Sequence, residues 1–473
     1  MPAHPDVFAE TSVFPHSPPA RCRTNHLVGR PASPLVWLAL WWCLSAAIAA
    51  GQGVVTGSPP TAGRDLPVEY QSRHFVLTTD LAAEPAAALL ERMEAALADA
   101  VEYWRRPARG QIDCYVVRDL HNWPDYALPH PLARVVVNGI GGATLQRTSG
   151  RGRTARDTAL LIASAAPGVA EHEVIHAYCA QNFGEMGPPW YKEGMAEMAV
   201  LGHGRGQGPR CSPAQLDTLR NGPAHTIHDI VSTGQSAQRL TDALDALLAQ
   251  RGGDPRHVRP EAWTATDADN TRRVREEYLW NWALCYLLRN NPNYSERFRL
   301  LGGDYLTKKN DSFERLFTPM ADEIMFEYAF FLQRIDSGFR VDLCRWDWHT
   351  PARPLDDATP ITNRCLAARG WQASEALVTA GSSYDYEATG TWSAARHWEP
   401  TDADGHADGS GRLVGVVMRD FQLSEPFPLG CHGSFFAPMS GQLYLRCEDS
   451  WSCLGDNRGE VSVRLTSTPA GGE

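Results

Sequence analysis

Alternating apolar and polar positions predict a strand, a helix and a second strand near the start of the folded chain. Residues 73–80 (RHFVLTTD) and 111–119 (QIDCYVVRD) have strand character, and 84–104 carry apolar residues at helical spacing. A third β-branched run, 134–145 (RVVVNGIGGATL), ends in glycines that let another backbone approach closely. We expect it to be an edge strand that pairs with an extended peptide, with a plain hairpin or bulge as the alternative.

Two shorter helices are predicted next. Residues 167–184 place good helix formers between a proline suited to a first turn and a glycine suited to a helix end. A second helix can begin at Pro189 and run through WYKEGMAEMAV. From 212 to 340 the pattern is mostly helical.

The pattern changes at Trp371, where short alternating runs are separated by Gly, Asp and Ser. Such runs predict an all-β sandwich of jelly-roll type. The expected fold class is therefore α+β: a domain with a mixed sheet and a mostly helical C-terminal half, followed by a separate β-sandwich. The predicted segments are a leader at 1–51, a linker at 52–65, the first domain at 66–345, a Pro-rich linker at 346–366 and the sandwich at 367–470.

The N-terminus carries Arg21, Arg23 and Arg30 before an apolar run from Pro34 to Ala50. A basic flank, an apolar core and small residues at the exit are typical of an export signal, with cleavage near Ala50. An uncleaved single-pass anchor and a translation start downstream of Met1 are the alternatives. The sequence thus favours a periplasmic, cell-surface or secreted protein.

Composition narrows the choice of partners. The 473 residues are 43% hydrophobic, which is ample for a core, and carry a formal net charge of −11. That charge argues against nucleic acid or an anionic membrane as the main partner. Membrane contact is expected only through the N-terminal segment.

Cysteines outside the predicted leader number nine, since two of the eleven lie within it. Outside the cytosol several of the nine would pair. The pairing is left open, with one candidate between Cys344 and Cys365 and another within a set of three late cysteines: Cys431, Cys447 and Cys453.

The candidate chemistry is concentrated in HEVIH, residues 172–176. On a helix, His172 and His176 lie one turn apart on the same face and can bind a single ion. Glu173 is then placed as a general base toward a water molecule at the metal rather than as a ligand. This pattern predicts a hydrolytic zinc site, although HExxH alone can also arise by chance in an ordinary solvated helix.

A catalytic zinc usually takes three protein ligands, so a third group is required. Glu193 and Glu197 lie one turn apart on the second helix. We expect Glu193 to be the third ligand. Glu197 is expected to accept the remaining N–H of a ligating histidine and so fix its tautomer.

These residues resemble the gluzincin metallopeptidases, and specifically the peptidase MA-like domain of exported bacterial proteins. The resemblance implies that HEVIH supplies two ligands and the base, and that KEGMAE supplies the third ligand and the orienting acid. It also implies hydrolysis of a protein or peptide substrate with one Zn²⁺ as cofactor.

Tyr278, in EEYLWNWALCYLLRN, is the candidate electrophilic donor to a tetrahedral intermediate. Gluzincins use a tyrosine at the start of a comparable helix for this purpose. The alternative is a core aromatic, because the segment is strongly apolar. His225 and His228 are further candidates for the same role.

A second metal-binding pattern lies in the tail, where Asp449, Asp456 and Asn457 are hard oxygen donors in a loop, as calcium prefers. The tail resembles the calcium-dependent galactophilic lectins of bacteria. That resemblance implies one Ca²⁺ bound by these side chains and by the Cys453 carbonyl, and a sugar contact through His406. A stabilising turn of acidic residues is the alternative.

Two functions therefore follow from the sequence. The first is an exported zinc metallopeptidase whose calcium-binding β-module docks on a surface glycan or steers substrate. The second is an adhesive, carbohydrate-binding protein whose peptidase-like domain is weak or inactive. The intact Glu173 favours the first, since a binding domain needs no base beside its ligands.

Overall fold

The computed structural model describes residues 67–130, 133–149, 156–202, 206, 208–232, 265–309, 312–355 and 359–468. The predicted leader and first linker lie outside these residues. In this described part of the chain, no helix is long and apolar enough to cross a membrane. The described residues form two compact units, one with 67–184 and 265–268, the other with 185–232 and 269–468.

The first unit contains a five-stranded mixed sheet in the order β1-β2-β3-β5-β4. Strand β2 runs parallel to β3, and β3 runs parallel to β5. The two end strands, β1 and β4, are antiparallel to their neighbours. The prediction of a mixed sheet is therefore confirmed, and β4 is an edge strand. The strands are β1 Val68–Gln71, β2 Phe75–Thr79, β3 Ile112–Val117, β4 Gly142–Ser149 and β5 Arg156–Ser164.

Helices pack on this sheet. The longest, α1, buries an apolar stripe that includes Leu90, Met93 and Leu97, as its helical spacing predicts. It packs against α3, which in turn lies against β4 and β5. The helical segments are α1 Ala83–Trp104, single 3₁₀ turns at Leu120–Asn122 and Asp125–Ala127, α2 Ala133–Val135, a π turn at Val136–Ile140 and α3 Val169–Phe183.

The strand predicted for residues 134–145 is wrong in its first half. Residues 133–140 are helical, and the strand begins only at Gly142. The reason is tertiary packing, because Ala133 and Val136 form a small core with Ile162 of β5. Burial against the sheet therefore overrides the β preference of a valine run.

The second unit begins with the predicted helices. Helix α4 starts at Pro189, and α7 includes the apolar segment EEYLWNWALCYLLRN, both as predicted. The helices are α4 Pro189–Leu201, α5 Pro213–Asn221, α6 Ile227–Ser232, α7 Ala265–Asn290, α8 Ser295–Leu306, α9 Phe313–Phe317, a 3₁₀ turn at Thr318–Met320, α10 Ala321–Arg334 and α11 Val341–Cys344.

Two sheets follow, in the orders β11-β10-β14-β8-β6 and β13-β9-β15-β7, with β12 also pairing with β10. Their pairs are antiparallel except for the short strand β6, which runs parallel to β8. One apolar core draws on both sheets, with Leu443 from the first and Val461 from the second fully buried. Two sheets therefore enclose one core, as expected of a sandwich, whereas its jelly-roll type stays a prediction. Its strands are β6 Arg353–Pro354, β7 Ile361–Leu366, β8 Gln372–Val378, β9 Ser383–Ser393, β10 Leu413–Arg419, β11 Gln422–Leu423, β12 Phe427–Pro428, β13 His432–Phe436, β14 Gly441–Cys447 and β15 Arg458–Ser467.

A second apolar core joins the helices to the sandwich. Phe326 and Phe330 of α10 pack with Trp346 and with Tyr444 of β14. Residues 361–366, expected to lie in a linker, form β7 and pair with β15. The α+β class is thus confirmed, whereas the separation of the sandwich from the helices is not.

The suggested disulfides are wrong. Cys344 and Cys365 are free thiols, and so are Cys431 and Cys447. Cys365 and Cys447 are buried in the core of the sandwich, where they pack as small apolar side chains.

A buried acid, Glu327 of α10, connects three segments of this unit. Its carboxylate oxygens accept hydrogen bonds from Asn293 Nδ2 at 3.0 Å, Tyr294 Oη at 2.9 Å, Trp348 Nε1 at 2.6 Å and Asn291 Nδ2. Burial raises the pKa of Glu327 to about 7, and these four donors act in the opposite direction.

We predict that Glu327 makes stability depend on pH. Its pKa is higher in the folded chain than in the unfolded chain. Protonation of Glu327 therefore contributes about 3 kcal/mol to the free energy of unfolding below about pH 4.5, and this contribution is lost as the pH rises through about 7. Between pH 4.5 and 8 the apparent unfolding temperature of wild type should fall several degrees further than that of Glu327→Gln. Glu314→Gln, at an exposed acid of α9, is the control. Equal pH dependence in all three proteins would contradict the assignment.

Candidate metal centre

Helix α3 carries the HEVIH residues in a fully buried setting. The helix ends at Gly184, whose left-handed conformation (φ 74°) matches the predicted stop. His172 is 9% exposed and His176 is 8% exposed. Their Nε2 atoms lie 3.0 Å apart, and their ring centroids 4.8 Å. The predicted pairing of the two imidazoles on one helix face is therefore present.

This separation can be compared with what zinc requires. Tetrahedral zinc with Zn–N bonds of about 2.0–2.1 Å holds two ligand nitrogens about 3.3 Å apart. The two Nε2 atoms are within a few tenths of an ångström of that spacing. The spacing of the two nitrogens is therefore compatible with a single zinc ion.

Glu193, the expected third ligand, lies on α4 of the second unit. It is buried, and its Oε1 lies 2.9 Å from Lys192 Nζ. Its role as a ligand stays a prediction. Two imidazoles and one carboxylate form a donor set typical of catalytic zinc.

Close helix packing fixes the position of Glu193. A Cβ added at the next residue, Gly194, would lie 2.5 Å from both the Asn281 carbonyl oxygen and Cys285 Sγ of α7. Only glycine allows α4 and α7 to approach so closely. The glycine of KEGMAE therefore has a packing role beside the ligand.

The edge strand β4 contacts the expected base. Thr144 Oγ1 lies 2.8 Å from Glu173 Oε2 and 3.1 Å from the Glu173 backbone oxygen. A Cβ added at Gly142 would lie 2.9 Å from Glu173 Oε1 and 2.8 Å from Val169 Cγ1. The glycines before β4 give a signal in the sequence, whereas no local pattern points to Thr144.

The two predicted supporting residues, Glu197 and Tyr278, lie on α4 and α7. Glu197 is half-buried. Burial raises the pKa of the Cys211 thiol to about 12, and the charge of Glu197 acts in the same direction. Tyr278 is half-buried on α7. The tautomer-fixing role of Glu197 and the electrophilic role of Tyr278 stay predictions. His225, a suggested alternative donor, packs against the ring of Trp280 at 5.1 Å.

The predicted calcium loop lies at an end of the sandwich. Asp449 Oδ2 and Asn457 Oδ1 are buried and have no hydrogen-bond partner among the described residues. Burial raises the pKa of Asp449 to about 6, and the charge of Asp456 acts in the same direction. The Cys453 carbonyl accepts a hydrogen bond of 3.3 Å from the Asp456 N–H. Two unsatisfied buried oxygens beside a further carboxylate fit a hard cation.

Near this loop, His406 lies in a turn with its ring edge-on to Trp398 at 5.2 Å. The Nε2 atom of His406 is buried without a hydrogen-bond partner among the described residues, and Trp398 is 46% exposed. The sugar contact proposed for His406 stays a prediction.

The sandwich holds one further group that sequence analysis missed. Potential ligand atoms of Asp402, Asp404 and Cys431 lie within 4.8 Å of one another. Asp404 Oδ1 already accepts a hydrogen bond of 2.9 Å from the Cys431 N–H, and both acids are exposed. We assign no ligand to it.

Comparison with known proteins adds little to this geometry. No family model matches the chain, and no curated protein matches it. Among solved structures, the chain is similar to one described as "EclA N-terminal domain; PllA-like lectin", at 19% identity over 23% of this chain and 95% of that chain. The TM-score of 0.20 is too low for this likeness to carry an argument. The candidate centre therefore rests on its own geometry.

We predict that the protein binds about one zinc ion per chain at this centre. Because each ligand contributes directly to binding, His176→Ala and Glu193→Gln should each lower zinc affinity by more than about 100-fold. His121→Ala, at a histidine whose side chain is 92% exposed, is the matched control. Zinc content after dialysis and competition with a chromophoric chelator measure the effect. Wild-type affinity in either ligand variant would exclude the centre.

Proposed function

We propose that this chain is an exported zinc metallopeptidase that hydrolyses peptide bonds in a protein or peptide substrate. The observation that carries the proposal is the pairing of His172 and His176, whose Nε2 atoms lie 3.0 Å apart on α3, with Glu173 next in the chain to His172. Glu193 is proposed as the third ligand. Export is proposed from the sequence alone, on the basic and apolar pattern of the leader.

His172, His176 and Glu193 would hold the ion. When bound, zinc supplies Lewis acidity and makes a water molecule beside it easier to deprotonate. Glu173 takes up that proton as general base and later delivers it to the leaving amine. A carboxylate adjacent to the ligands, and not among them, suits this double role.

Substrate orientation is proposed to come from β4. Among the described strands, β4 pairs with β5 alone, so its other edge can accept an extended peptide backbone. Tyr278 is proposed to donate a hydrogen bond to the developing oxyanion, and Glu197 to orient a ligating histidine.

The sandwich is proposed to bind one Ca²⁺ through Asp449, Asp456, Asn457 and the Cys453 carbonyl, and to dock on a surface glycan near His406. The buried oxygens of Asp449 and Asn457 support the cation. They also favour the second candidate function, an adhesive carbohydrate-binding protein with a weak or inactive peptidase-like part.

We predict that Glu173→Gln keeps its zinc and loses most of its peptidase activity, because the amide cannot accept the proton. The expected fall is about 100-fold or more in the cleavage rate of fluorescein-labelled casein. Glu84→Gln, at an exposed acid in α1, makes the same chemical change away from the centre. A Glu173→Gln protein as active as wild type would exclude this role, and an inactive zinc-loaded wild type would favour the adhesive function.

We predict that calcium stabilises the protein through Asp449. At a free calcium concentration about 100 times the dissociation constant, binding contributes about 2.7 kcal/mol, so the apparent unfolding temperature should rise by several degrees. Asp449→Asn should abolish most of that rise. Asp420→Asn is the control, since Asp420 is largely exposed and lies in the same sandwich. Equal calcium shifts in the two variants would argue against the site.

A further inference from the structure

Thr144 of β4 is the residue that holds the carboxylate of Glu173. We propose that Thr144 is a positioning residue: its hydroxyl fixes the carboxylate of the general base so that the proton transfer is made from one geometry. This inference rests on the proposed peptidase function and extends it to a residue outside the predicted ligand set.

The contact is short and specific. Thr144 Oγ1 lies 2.8 Å from Glu173 Oε2, within the usual range for a hydroxyl that donates to a carboxylate. The backbone oxygen of Glu173, at 3.1 Å, is the more distant acceptor. Because a hydroxyl carries one hydrogen, the charged and closer oxygen receives it.

The donor itself is rigid. Threonine is branched at Cβ and has few χ1 rotamers, and here it lies on a strand paired along its length with β5. Thr144 is opposite Leu161 in that pairing, whose side chain is fully buried. The hydroxyl position is therefore set by the sheet and not by a flexible loop.

The other carboxylate oxygen is confined by Gly142. An added Cβ there would lie 2.9 Å from Glu173 Oε1 and 3.0 Å from Glu173 Cγ. The carboxylate thus packs against bare backbone on one side and receives a hydrogen bond on the other. Two residues of the same strand, 142 and 144, limit its movement.

This restraint matters because glutamate has three rotatable side-chain bonds. A misplacement of about 1 Å in a catalytic group can cost about 100-fold in rate. Without the hydroxyl, the carboxylate would lose a charge-assisted hydrogen bond in a buried environment and could take other rotamers. Thr144 is therefore expected to act on turnover and much less on substrate affinity.

The first test compares Thr144→Val, Thr144→Ser and Thr158→Val with wild type, each as the zinc-loaded full chain. On fluorescein-labelled casein, Thr144→Val should lower kcat by about 10-fold to 100-fold with KM within about 2-fold, and Thr144→Ser should recover most of that loss. Thr158→Val is the matched control, because the Thr158 hydroxyl donates to a backbone oxygen, that of Arg147 at 3.3 Å, on the same pair of strands. Zinc content should equal that of wild type in all three.

The second test needs no activity. If the hydroxyl acts through Glu173, then Thr144→Val and Glu173→Gln are coupled, and their separate shifts in unfolding temperature should not add in the double variant of the metal-free protein. Thr158→Val and Glu173→Gln should add. If Thr144→Val does not fold, Gly142→Ala replaces it, and it should lower kcat by crowding the carboxylate.

Three outcomes would overturn the inference: a Thr144→Val enzyme as active as Thr158→Val, additive shifts in the double variant, or loss of zinc together with activity. The last would mean that Thr144 supports the ligands and not the base. Failure of the proposed function is distinct, since zinc-loaded wild type would then cleave no casein.

Discussion

A helix that is buried on every face can carry acids and imidazoles only if each finds a partner, and α3 satisfies this condition with groups from several elements. Glu171 pairs with Arg92 of α1 at 2.6 Å, and Glu173 accepts a hydrogen bond from Thr144 of β4. Burying such a charge without a partner would cost several kcal/mol. The positions of α1 and β4 around α3 are therefore tied to the chemistry that the helix carries.

In the second unit, packing holds Glu193, the proposed third ligand. On one side of α4, Gly194 lets the backbone of α7 come close to Glu193. On another, Trp190 and Tyr191 form an aromatic cluster with Phe298, Tyr305 and Phe313. Interlocking rings leave few alternative rotamers, so the helix that carries Glu193 is held as a rigid element. A metal ligand gains affinity from such a scaffold because little order has to be created on binding.

At the end of the sandwich, the same physical rule applies with a different result. Arg446 is fully buried, yet its guanidinium lies over the Trp451 ring at 3.9 Å and donates to the backbone oxygens of Cys447 and Asp449. The Asp449 side chain is only half satisfied: its Oδ1 accepts a hydrogen bond of 2.7 Å from the Ser450 N–H, whereas its Oδ2 has no hydrogen-bond partner in the described part of the chain. Natural structures rarely leave such an oxygen unused, and a hard cation is a common way to satisfy it.

The sequence by itself determined the local structure of this protein. His172 and His176 face the same way because the helical period places residues four apart on one face. The alternating runs of the tail form strands because side chains alternate between the two faces of a strand. It did not determine that residues 133–140 turn into a helix, because their packing against β5 decides it. Nor could it pair Thr144 with Glu173, which lie 29 residues apart. Contacts between distant segments depend on how the sheet and helix pack, and no periodicity along the chain encodes them.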